Sequence, residues 1–202
     1  MPKTITLALT GASGLAYGLR LVECLLAQGA HVRLLVSQAA HVVAAQELRL
    51  TLPARPGELE NWLRERYPGL PGMLRVYGRE DWFAPVASGS GVGDAMVICP
   101  CSMGTLAAVA QGLSDNLIER AADVAIKENR KLIVVPRETP VSALHLENML
   151  RLARAGAVIL PASPGFYHHP QRIEDLVDFI VARILDQLGM QNGLIPRWGE
   201  TT

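Results

Sequence analysis

Short segments of small and hydroxylated residues follow two apolar runs of this sequence, and both could hold a phosphate group. One is Thr10-Gly11-Ala12-Ser13-Gly14 and the other is Ser102-Met103-Gly104-Thr105. Each lies at the predicted start of a helix, where backbone N–H groups lack partners and negative charge is favoured. Both segments are therefore candidate cradles for the phosphate or the ring of a ligand.

A third apolar run ends in an opposite-charge pair between two prolines, Pro136-Arg137-Glu138-Thr139-Pro140. Proline fixes its own backbone angle, so this turn is stiff and can hold both side chains in place. An arginine there can bind an anion, and a carboxyl group can move a proton during a reaction. The segment predicts a functional pair, with a structural ion pair as the simpler alternative.

Cationic side chains on two predicted helices are further candidates. Arg120 and Lys127 lie on one helix face with Asp123, and Arg183 lies beside the apolar stripe of the last helix. Several fixed cations could compensate the charge of a leaving phosphate group, a task that enzymes often give to Mg²⁺. The alternative is that both helix faces are simply solvated.

No metal site is predicted. The three cysteines, Cys24, Cys99 and Cys101, lack a second Cys or His pair at ligand spacing, and we expect them to be buried and reduced. The adjacent His168 and His169 lie in a long loop and cannot easily bind one ion together.

A nicotinamide dinucleotide site is not favoured either. Gly11, Gly14 and Gly18 do not have the GxGxxG spacing, and no Asp or Glu lies between His31 and Gln46 to hold a ribose.

The composition fits one globular domain. The chain has 202 residues, half of them apolar, and its 19 Lys and Arg balance 19 Asp and Glu. The zero net charge argues against a nucleic-acid partner, and no stretch reaches the roughly 18 apolar residues of a membrane helix. The amino terminus lacks the long apolar core of a signal peptide, so the expected location is the cytoplasm.

An alternation of apolar runs and helical patterns must position the candidate residues. Continuous apolar strands separated by helices predict an α/β, three-layer Rossmann or flavodoxin-like domain with a mostly parallel sheet. Ligands in such sheets bind outside the carboxyl ends of the strands. The predicted strands are Ile5–Leu9, Val32–Val36, Ala95–Cys99, Leu132–Val135 and Ala157–Leu160, and the predicted helices are Leu15–Ala27, Gln38–Leu48, Leu117–Asn129, Val141–Ala155 and Ile173–Leu188.

We predict one domain over residues 1–190 and a tail over residues 191–202. The proline-rich segment 49–81 is predicted to be an irregular excursion, with a short amphipathic stretch near Glu58–Arg66. Trp198 lies in the otherwise polar tail, which predicts that the tail docks on a neighbouring subunit.

Six motifs in one order resemble those of the UbiX-type flavin prenyltransferases, formerly called 3-octaprenyl-4-hydroxybenzoate carboxy-lyases. The resemblance covers nearly the whole chain, and six motifs in order are far more specific than any one of them. They are Gly11-Ala12-Ser13-Gly14, Ala87-Ser88-Gly89-Ser90, Pro100-Cys101-Ser102-Met103-Gly104-Thr105, Asp115-Asn116-Leu117, Pro136-Arg137-Glu138-Thr139-Pro140 and Pro161-Ala162-Ser163-Pro164-Gly165-Phe166-Tyr167.

The resemblance implies a flavodoxin-like domain that binds FMN over residues 1–190, and a defined reaction. The family joins the dimethylallyl group of dimethylallyl monophosphate to N5 and C6 of reduced FMN, without a metal. The product, prenylated FMN, serves UbiD-type decarboxylases, which implies a link to ubiquinone biosynthesis. Members form dodecamers with active sites at subunit junctions. Trp198 and basic residues without obvious partners fit such an assembly here.

The resemblance also implies roles for individual residues. A role in catalysis is implied for Glu138, Lys127, Arg120 and Ser13. A role in FMN binding is implied for Gly11, Ala12, Ser13, Ser37, Ser102, Met103, Gly104, Thr105 and Arg137. Contact with the donor phosphate is implied for Tyr167, Arg183 and Lys127, and contact with the prenyl chain or the flavin edge for Trp82, Ala87 and Ser88.

The proton chemistry of this reaction is left open by the sequence. The second bond forms at a ring carbon, so a proton must leave, and either Glu138 or the phosphate product could accept it. The developing allyl cation needs an aromatic face, which either Trp82 or the flavin could supply.

Two other functions are alternatives. A flavin-dependent decarboxylase of peptidyl-cysteine or phosphopantothenoylcysteine would need a central histidine, and none lies between His41 and His145. It would also need a Pro-x-Met-Asn segment, where this chain has Pro136-Arg137-Glu138-Thr139. A non-catalytic flavin carrier would need neither Glu138 nor the basic side chains.

Overall fold

Six parallel strands form the central sheet of the computed structural model, which describes residues 1–199. The sheet order is β3-β2-β1-β4-β5-β6, and every pairing is parallel. The predicted α/β class is confirmed, with an entirely parallel sheet. The strands are Thr4–Leu9 (β1), His31–Val36 (β2), Met73–Tyr77 (β3), Ala95–Cys101 (β4), Lys131–Pro136 (β5) and Val158–Ile159 (β6).

Helices cover both faces of this sheet, which is why its central strands are apolar throughout. The helices are Leu15–Ala27 (α1), Gln38–Leu48 (α2), Pro56–Arg66 (α3), Met103–Ala110 (α4), Leu117–Lys127 (α5), Ala143–Arg154 (α6) and Ile173–Gln187 (α7). Helices α1, α2, α3 and α7 contribute to one core, and α4, α5 and α6 contribute to the core on the opposite face. Neighbouring residues of β4 alternate between the two, since Val97 packs in the first core and Ile98 in the second.

The segment 49–81 is more regular than the sequence suggests. The predicted amphipathic stretch near Glu58–Arg66 is part of α3, and the edge strand β3 follows it, so the prediction that the rest of the segment is irregular is wrong. Only Leu74 and Val76 of β3 are fully buried, while Met73 and Arg75 are exposed. An edge strand of this kind alternates between apolar and polar residues and lacks the continuous apolar run by which the other strands were recognised.

Strand β4 continues beyond the predicted end at Cys99. Proline has no N–H group, but the Pro100 carbonyl accepts hydrogen bonds from the backbone N–H and the side-chain hydroxyl of Thr10. Pairing with β5 resumes at Cys101 after a shift in register. The shift lets the strand pass a proline and places Ser102 directly at its carboxyl end.

The other predicted boundaries differ by a few residues. Helix α5 ends at Lys127 because Asn129 adopts the left-handed backbone conformation, with φ of 51°. Helix α6 runs from Ala143 to Arg154 within the predicted Val141–Ala155, and β6 keeps two residues of the predicted Ala157–Leu160. Within residues 1–199, the longest helices are too short or too polar to cross a bilayer.

Candidate functional site

A cleft of about 580 Å³ lies at the carboxyl ends of the first four strands. Gly11, Ser37, Arg79 and Ser102 line it from the segments after β1, β2, β3 and β4. The strand order reverses between β1 and β4, and parallel sheets bind ligands at such a reversal. The cleft is lined by Gly11, Ser37, Gln38, Ala39, Val42, Arg79, Ser102, Gly104, Thr105, Asn116, Ile118 and Glu119.

Five residues with an implied role in FMN binding line this cleft together: Gly11, Ser37, Ser102, Gly104 and Thr105. Ser37 caps α2, since its side chain accepts a hydrogen bond of 3.2 Å from the Ala40 N–H. Ser102 caps α4 by accepting from the Thr105 N–H at 3.3 Å. Because both helices begin at the cleft, their positive ends favour an anion there.

The Thr10 hydroxyl joins the two predicted cradles. It donates a hydrogen bond of 2.8 Å to the Pro100 carbonyl and accepts one of 2.8 Å from the Ser102 N–H. Thr10 is fully buried, so water does not compete for these bonds. The segment after β1 and the start of α4 therefore have a fixed separation.

Four other residues with an implied role in FMN binding do not line the cleft: Ala12, Ser13, Met103 and Arg137. Ala12 and Met103 are buried, and Met103 packs in the core around α4. Ser13 is half-buried. Beside it, the Gly14 N–H donates a hydrogen bond of 2.8 Å to a carboxylate oxygen of Glu47. The anion that we expected at the start of α1 is here a side chain of the protein itself.

Arg137 has a buried nitrogen that suits a polar ligand. Its Nε is shielded from solvent and forms no hydrogen bond within residues 1–199, while its backbone N–H donates to the Cys101 carbonyl at 3.3 Å. A buried, unpaired donor on a charged group is costly, so an acceptor from a bound molecule would stabilise it. This donor fits the carbonyl or phosphate oxygens of FMN.

Tyr17 lies close enough to Arg137 for their charges to interact. Burial raises the pKa of the Tyr17 phenol, and the positive charge of Arg137 partly opposes that increase. The carboxylate of Glu47 acts in the same direction as burial. Tyr17 is therefore a neutral, partly buried phenol that is affected by two charged side chains of opposite sign, those of Arg137 and Glu47.

Glu138 has a different environment from its neighbour. Its side chain is exposed, and one carboxylate oxygen accepts a hydrogen bond of 3.2 Å from the Thr139 N–H. It does not line the cleft. The structure thus separates the predicted pair into a half-buried cation and a solvent-facing carboxylate.

The three predicted cations each have an acidic partner in the same chain. Arg120 pairs with Asp123 at 2.9 Å, Lys127 with Glu128 at 2.5 Å, and Arg183 with Asp186 at 2.7 Å. The interpretation that these basic residues lack obvious partners is wrong, because each forms an ion pair with a carboxylate one to three positions away in the chain. The Lys127 ammonium holds the pKa of the Glu128 carboxyl below its usual range.

Helix α5 brings four of the predicted residues to one place. The Arg120 Nε donates a hydrogen bond of 3.0 Å to the Ala87 carbonyl, which fixes the turn Pro85–Ala87 against the helix. Ser88 comes directly after that turn, and a methyl group on Gly89 would come within 3.0 Å of the Lys127 Nζ. Arg120, Lys127, Ala87 and Ser88 therefore share one surface.

Tyr167 and Arg183 both lie near the described part of the tail. The Tyr167 ring has its centroid 5.0 Å from that of Trp198 and 5.7 Å from that of Phe179. Asp186, the partner of Arg183, is also 4.0 Å from Arg197. The tail thus contacts its own chain, and docking of the tail on a neighbouring subunit stays a prediction. Trp82 lies in the segment after β3 and is 47% exposed, and its role also stays a prediction.

Sequence reasoning missed several residues around the cleft. Arg79 was missed because β3 lacks the apolar run of a buried strand, and the residues after an unrecognised strand are not ligand candidates. Asn116 belongs to one of the six family motifs but was given no role at the site, and the structure shows it capping α5 by accepting hydrogen bonds from the Ile118 and Glu119 N–H groups. Glu47 lies near the end of a helix, and no local signal connects it to Gly14, 33 positions earlier.

Within residues 1–199, no group of three or more His, Cys, Asp or Glu side chains has an arrangement that could hold a metal ion.

Comparisons with known proteins agree with this geometry. Residues 1–185 match the family model described as Flavoprotein. The flavin prenyltransferase UbiX of Pseudomonas aeruginosa is 59% identical over 199 residues, which cover 98% of this chain and 95% of that protein. The UbiX of Alkalihalophilus pseudofirmus is 50% identical, with coverage of 98% and 97%.

A solved structure with a bound flavin matches the whole chain. It is AnUbiX (PadA1) in complex with FMN and dimethylallyl pyrophosphate, with 38% identity, a TM-score of 0.87 and full coverage of both chains. A dodecameric FMN-dependent UbiX-like decarboxylase from Escherichia coli O157:H7 matches with 36% identity, a TM-score of 0.84 and coverage of 98% and 100%. The chain belongs to the flavoprotein family and, within it, to the UbiX flavin prenyltransferases.

Proposed function

We propose that this protein joins the dimethylallyl group of dimethylallyl monophosphate to N5 and C6 of reduced FMN and so makes prenylated FMN. The observation that carries the proposal is the cleft at the reversal of the sheet. Five residues with an implied role in FMN binding line it together, in a chain that is 59% identical to a flavin prenyltransferase. A non-catalytic flavin carrier does not account for that identity.

The residues around the cleft support a division of tasks. The starts of α2 and α4 and the unpaired Nε of Arg137 are suited to hold FMN. Arg120 and Lys127 lie on the neighbouring face of α5, and Tyr167 and Arg183 near the tail are suited to hold the donor phosphate. Glu138 is exposed beside Arg137, and a carboxyl group that a substrate can reach suits a general acid or base.

We further propose that phosphate departs without help from a divalent metal. Arg120, Lys127 and Arg183 can supply the positive charge that Mg²⁺ supplies in many phosphate-transferring enzymes. Each would have to exchange its present carboxylate partner for the phosphate. A reaction rate that is unchanged in the presence of a strong chelator would support this part of the proposal. Loss of the rate with the chelator and its recovery on adding Mg²⁺ would contradict it.

The proposed assembly is a homo-oligomer, a dodecamer by analogy with the E. coli relative. Helix α6 supports self-association, because Leu144, Leu146 and Leu150 are 69%, 54% and 49% exposed in the single chain. Such exposed leucines on one helix are typical of a surface that a partner covers.

We propose that the enzyme works in the cytoplasm and that a UbiD-type decarboxylase uses its product.

The reaction can be tested by mass spectrometry. The protein would be incubated anaerobically with reduced FMN and dimethylallyl monophosphate, and the released flavin would be weighed. A gain of one prenyl unit is expected. An unchanged flavin mass would argue for a carrier, and loss of CO₂ from a cysteine-containing substrate would argue for a decarboxylase.

A further inference from the structure

Arg79 lines the cleft from the segment after β3. Of the described residues that line the cleft, two carry a charge, Arg79 and Glu119. No motif of the sequence pointed to Arg79. Its environment can therefore be judged independently of the roles implied for other residues.

Glu119 does not neutralise Arg79. One of its carboxylate oxygens accepts a hydrogen bond of 2.8 Å from the Asp115 N–H, and the other accepts one of 2.6 Å from the Asn116 side chain. Both bonds belong to the capping of α5. Glu119 is therefore occupied by its own helix terminus, and no ion pair joins it to Arg79 within residues 1–199.

The Arg79 guanidinium has no partner in the part of the chain that the structure describes, although its backbone is fixed. The Leu117 N–H donates a hydrogen bond of 2.8 Å to the Arg79 carbonyl, which ties this segment to the start of α5. The cations predicted from the sequence differ from it, because those on α5 and α7 have carboxylate partners and Arg137 lies outside the cleft lining. Arg79 thus combines a fixed backbone with an unoccupied charge at the rim of the cleft.

The cleft around Arg79 favours a doubly charged anion. Three helices begin there, and their capping residues Ser37, Ser102 and Asn116 all line the cleft. Each helix start contributes partial positive charge, and an arginine adds planar, charge-assisted hydrogen bonds to phosphate oxygens. The phosphate is the strongly anionic end of FMN.

We propose that Arg79 binds the phosphate group of FMN and makes the protein prefer FMN to riboflavin. This inference rests on the proposed function, because it takes FMN as the ligand of the cleft. The donor phosphate is the other candidate anion. Tyr167 and Arg183, which are suited to bind it, lie near the tail and not in the cleft lining, so the cleft is assigned to FMN.

The test compares two ligands that differ only in the phosphate. Dissociation constants for FMN and riboflavin would be measured by flavin fluorescence at low ionic strength, for the wild type and for Arg79→Ala. We expect the variant to bind FMN at least about tenfold more weakly, because bonds to charged groups have this magnitude. Its riboflavin affinity should not change. Arg79→Lys should bind FMN with intermediate affinity.

The matched control is Arg130→Ala. Arg130 is exposed and lies beyond the last residue of α5, whereas the cleft is at the first turn of that helix. The control removes the same charge from the protein without touching the cleft. Neither flavin affinity should change in this variant, which separates a local contact from a general effect of net charge.

Three results would overturn the proposal. If Arg79→Ala and the wild type bound FMN with equal affinity, Arg79 would not be part of the FMN site. Equal losses for FMN and riboflavin would show that Arg79 does not act on the phosphate. A raised KM for the donor with unchanged FMN affinity would assign the cleft to the donor phosphate. Failure of the wild type to bind FMN at all would instead refute the proposed function, and this inference with it.

Discussion

Arg137 and Glu138 are neighbours in the chain with opposite relations to solvent. Arg137 has a buried Nε without a hydrogen-bond partner among the described residues, whereas Glu138 is exposed. A half-buried cation with a shielded, unpaired Nε is suited to hold a ligand. An exposed carboxylate can be reached by a substrate and is a candidate to accept a proton. We propose that one stiff turn holds these neighbouring side chains for two different tasks.

Replacing Glu138 by Gln tests the proton task. The change keeps the shape of the side chain and removes its ability to accept a proton, so we expect FMN to bind normally and turnover to fall by about 100-fold or more. Single-turnover rates and FMN affinity would both be measured. Glu65→Gln, at an exposed position of α3, is the control and should behave as the wild type. Near-normal turnover of Glu138→Gln would show that a group other than Glu138 accepts the proton.

At the scale of the element, the first turn of α4 forms part of the cleft wall. Gly104 is the second residue of that helix and lines the cleft, and a methyl group added there would meet nothing within 4 Å. A side chain at this position would occupy space in the cleft without overlapping the protein. The fold therefore does not need glycine at this position, and we expect that the ligand does.

Gly104→Leu should separate ligand binding from stability. We expect FMN affinity to fall by at least about tenfold, while the thermal midpoint stays equal or rises, because leucine favours a helix more than glycine does. Gly57→Leu is the matched control, since Gly57 is also the second residue of a helix, α3, and also has nothing within 4 Å. FMN affinity that is unchanged in Gly104→Leu would place the flavin elsewhere.

At the scale of the whole molecule, the two cores bury all three thiols. Cys24 is 8% exposed, and Cys99 and Cys101 are fully buried. Burial raises the pKa of the Cys24 thiol to about 11 and raises the pKa values of Cys99 and Cys101 further. The thiolate is the reactive form, so the native protein should resist thiol reagents.

This burial predicts both reactivity and a pH dependence. At pH 8 a disulfide reagent should modify less than one thiol per native chain and three per chain in guanidinium chloride. An unfolded thiol ionises at lower pH than a buried one, so the stabilisation that the buried thiols contribute should be constant below about pH 8 and should be lost as the pH rises through the unfolded value towards 11. Rapid modification of the native protein would contradict the burial.

The exposed leucines of α6 predict an effect on assembly. Leu146 and Leu150 are four residues apart and lie on the same face of the helix. Replacing both leucines with Lys should lower the mass of the assembly, as measured by analytical ultracentrifugation. The new charges would lie where a second copy of the chain is proposed to pack. Leu113→Lys, at another leucine that is 47% exposed, is the control and should leave the mass unchanged. If the double variant kept the assembly mass of the wild type, the contact between copies would have to lie on another surface.

Much of the fold was predictable because its signals are local. The central strands are buried on both faces and read as continuous apolar runs, and Ser37, Ser102 and Asn116 mark the starts of three helices. The edge strand β3 was not predictable in this way, since half of it faces solvent. Because β3 was not predicted, Arg79 was not identified as a candidate either. The rule that ligands bind after the carboxyl ends of strands can be applied only to strands that are recognised.

The sequence by itself determined the α/β class, the family resemblance and the five cleft residues with an implied flavin role, because each depends on residue types a few positions apart. The tertiary structure decided which of the remaining candidates lie together. It paired Arg120, Lys127 and Arg183 with carboxylates, brought Glu47 to Gly14, and left Arg79 and the Nε of Arg137 unpaired in the described chain. Burial and pairing depend on contacts between segments far apart in sequence, and no local pattern specifies them.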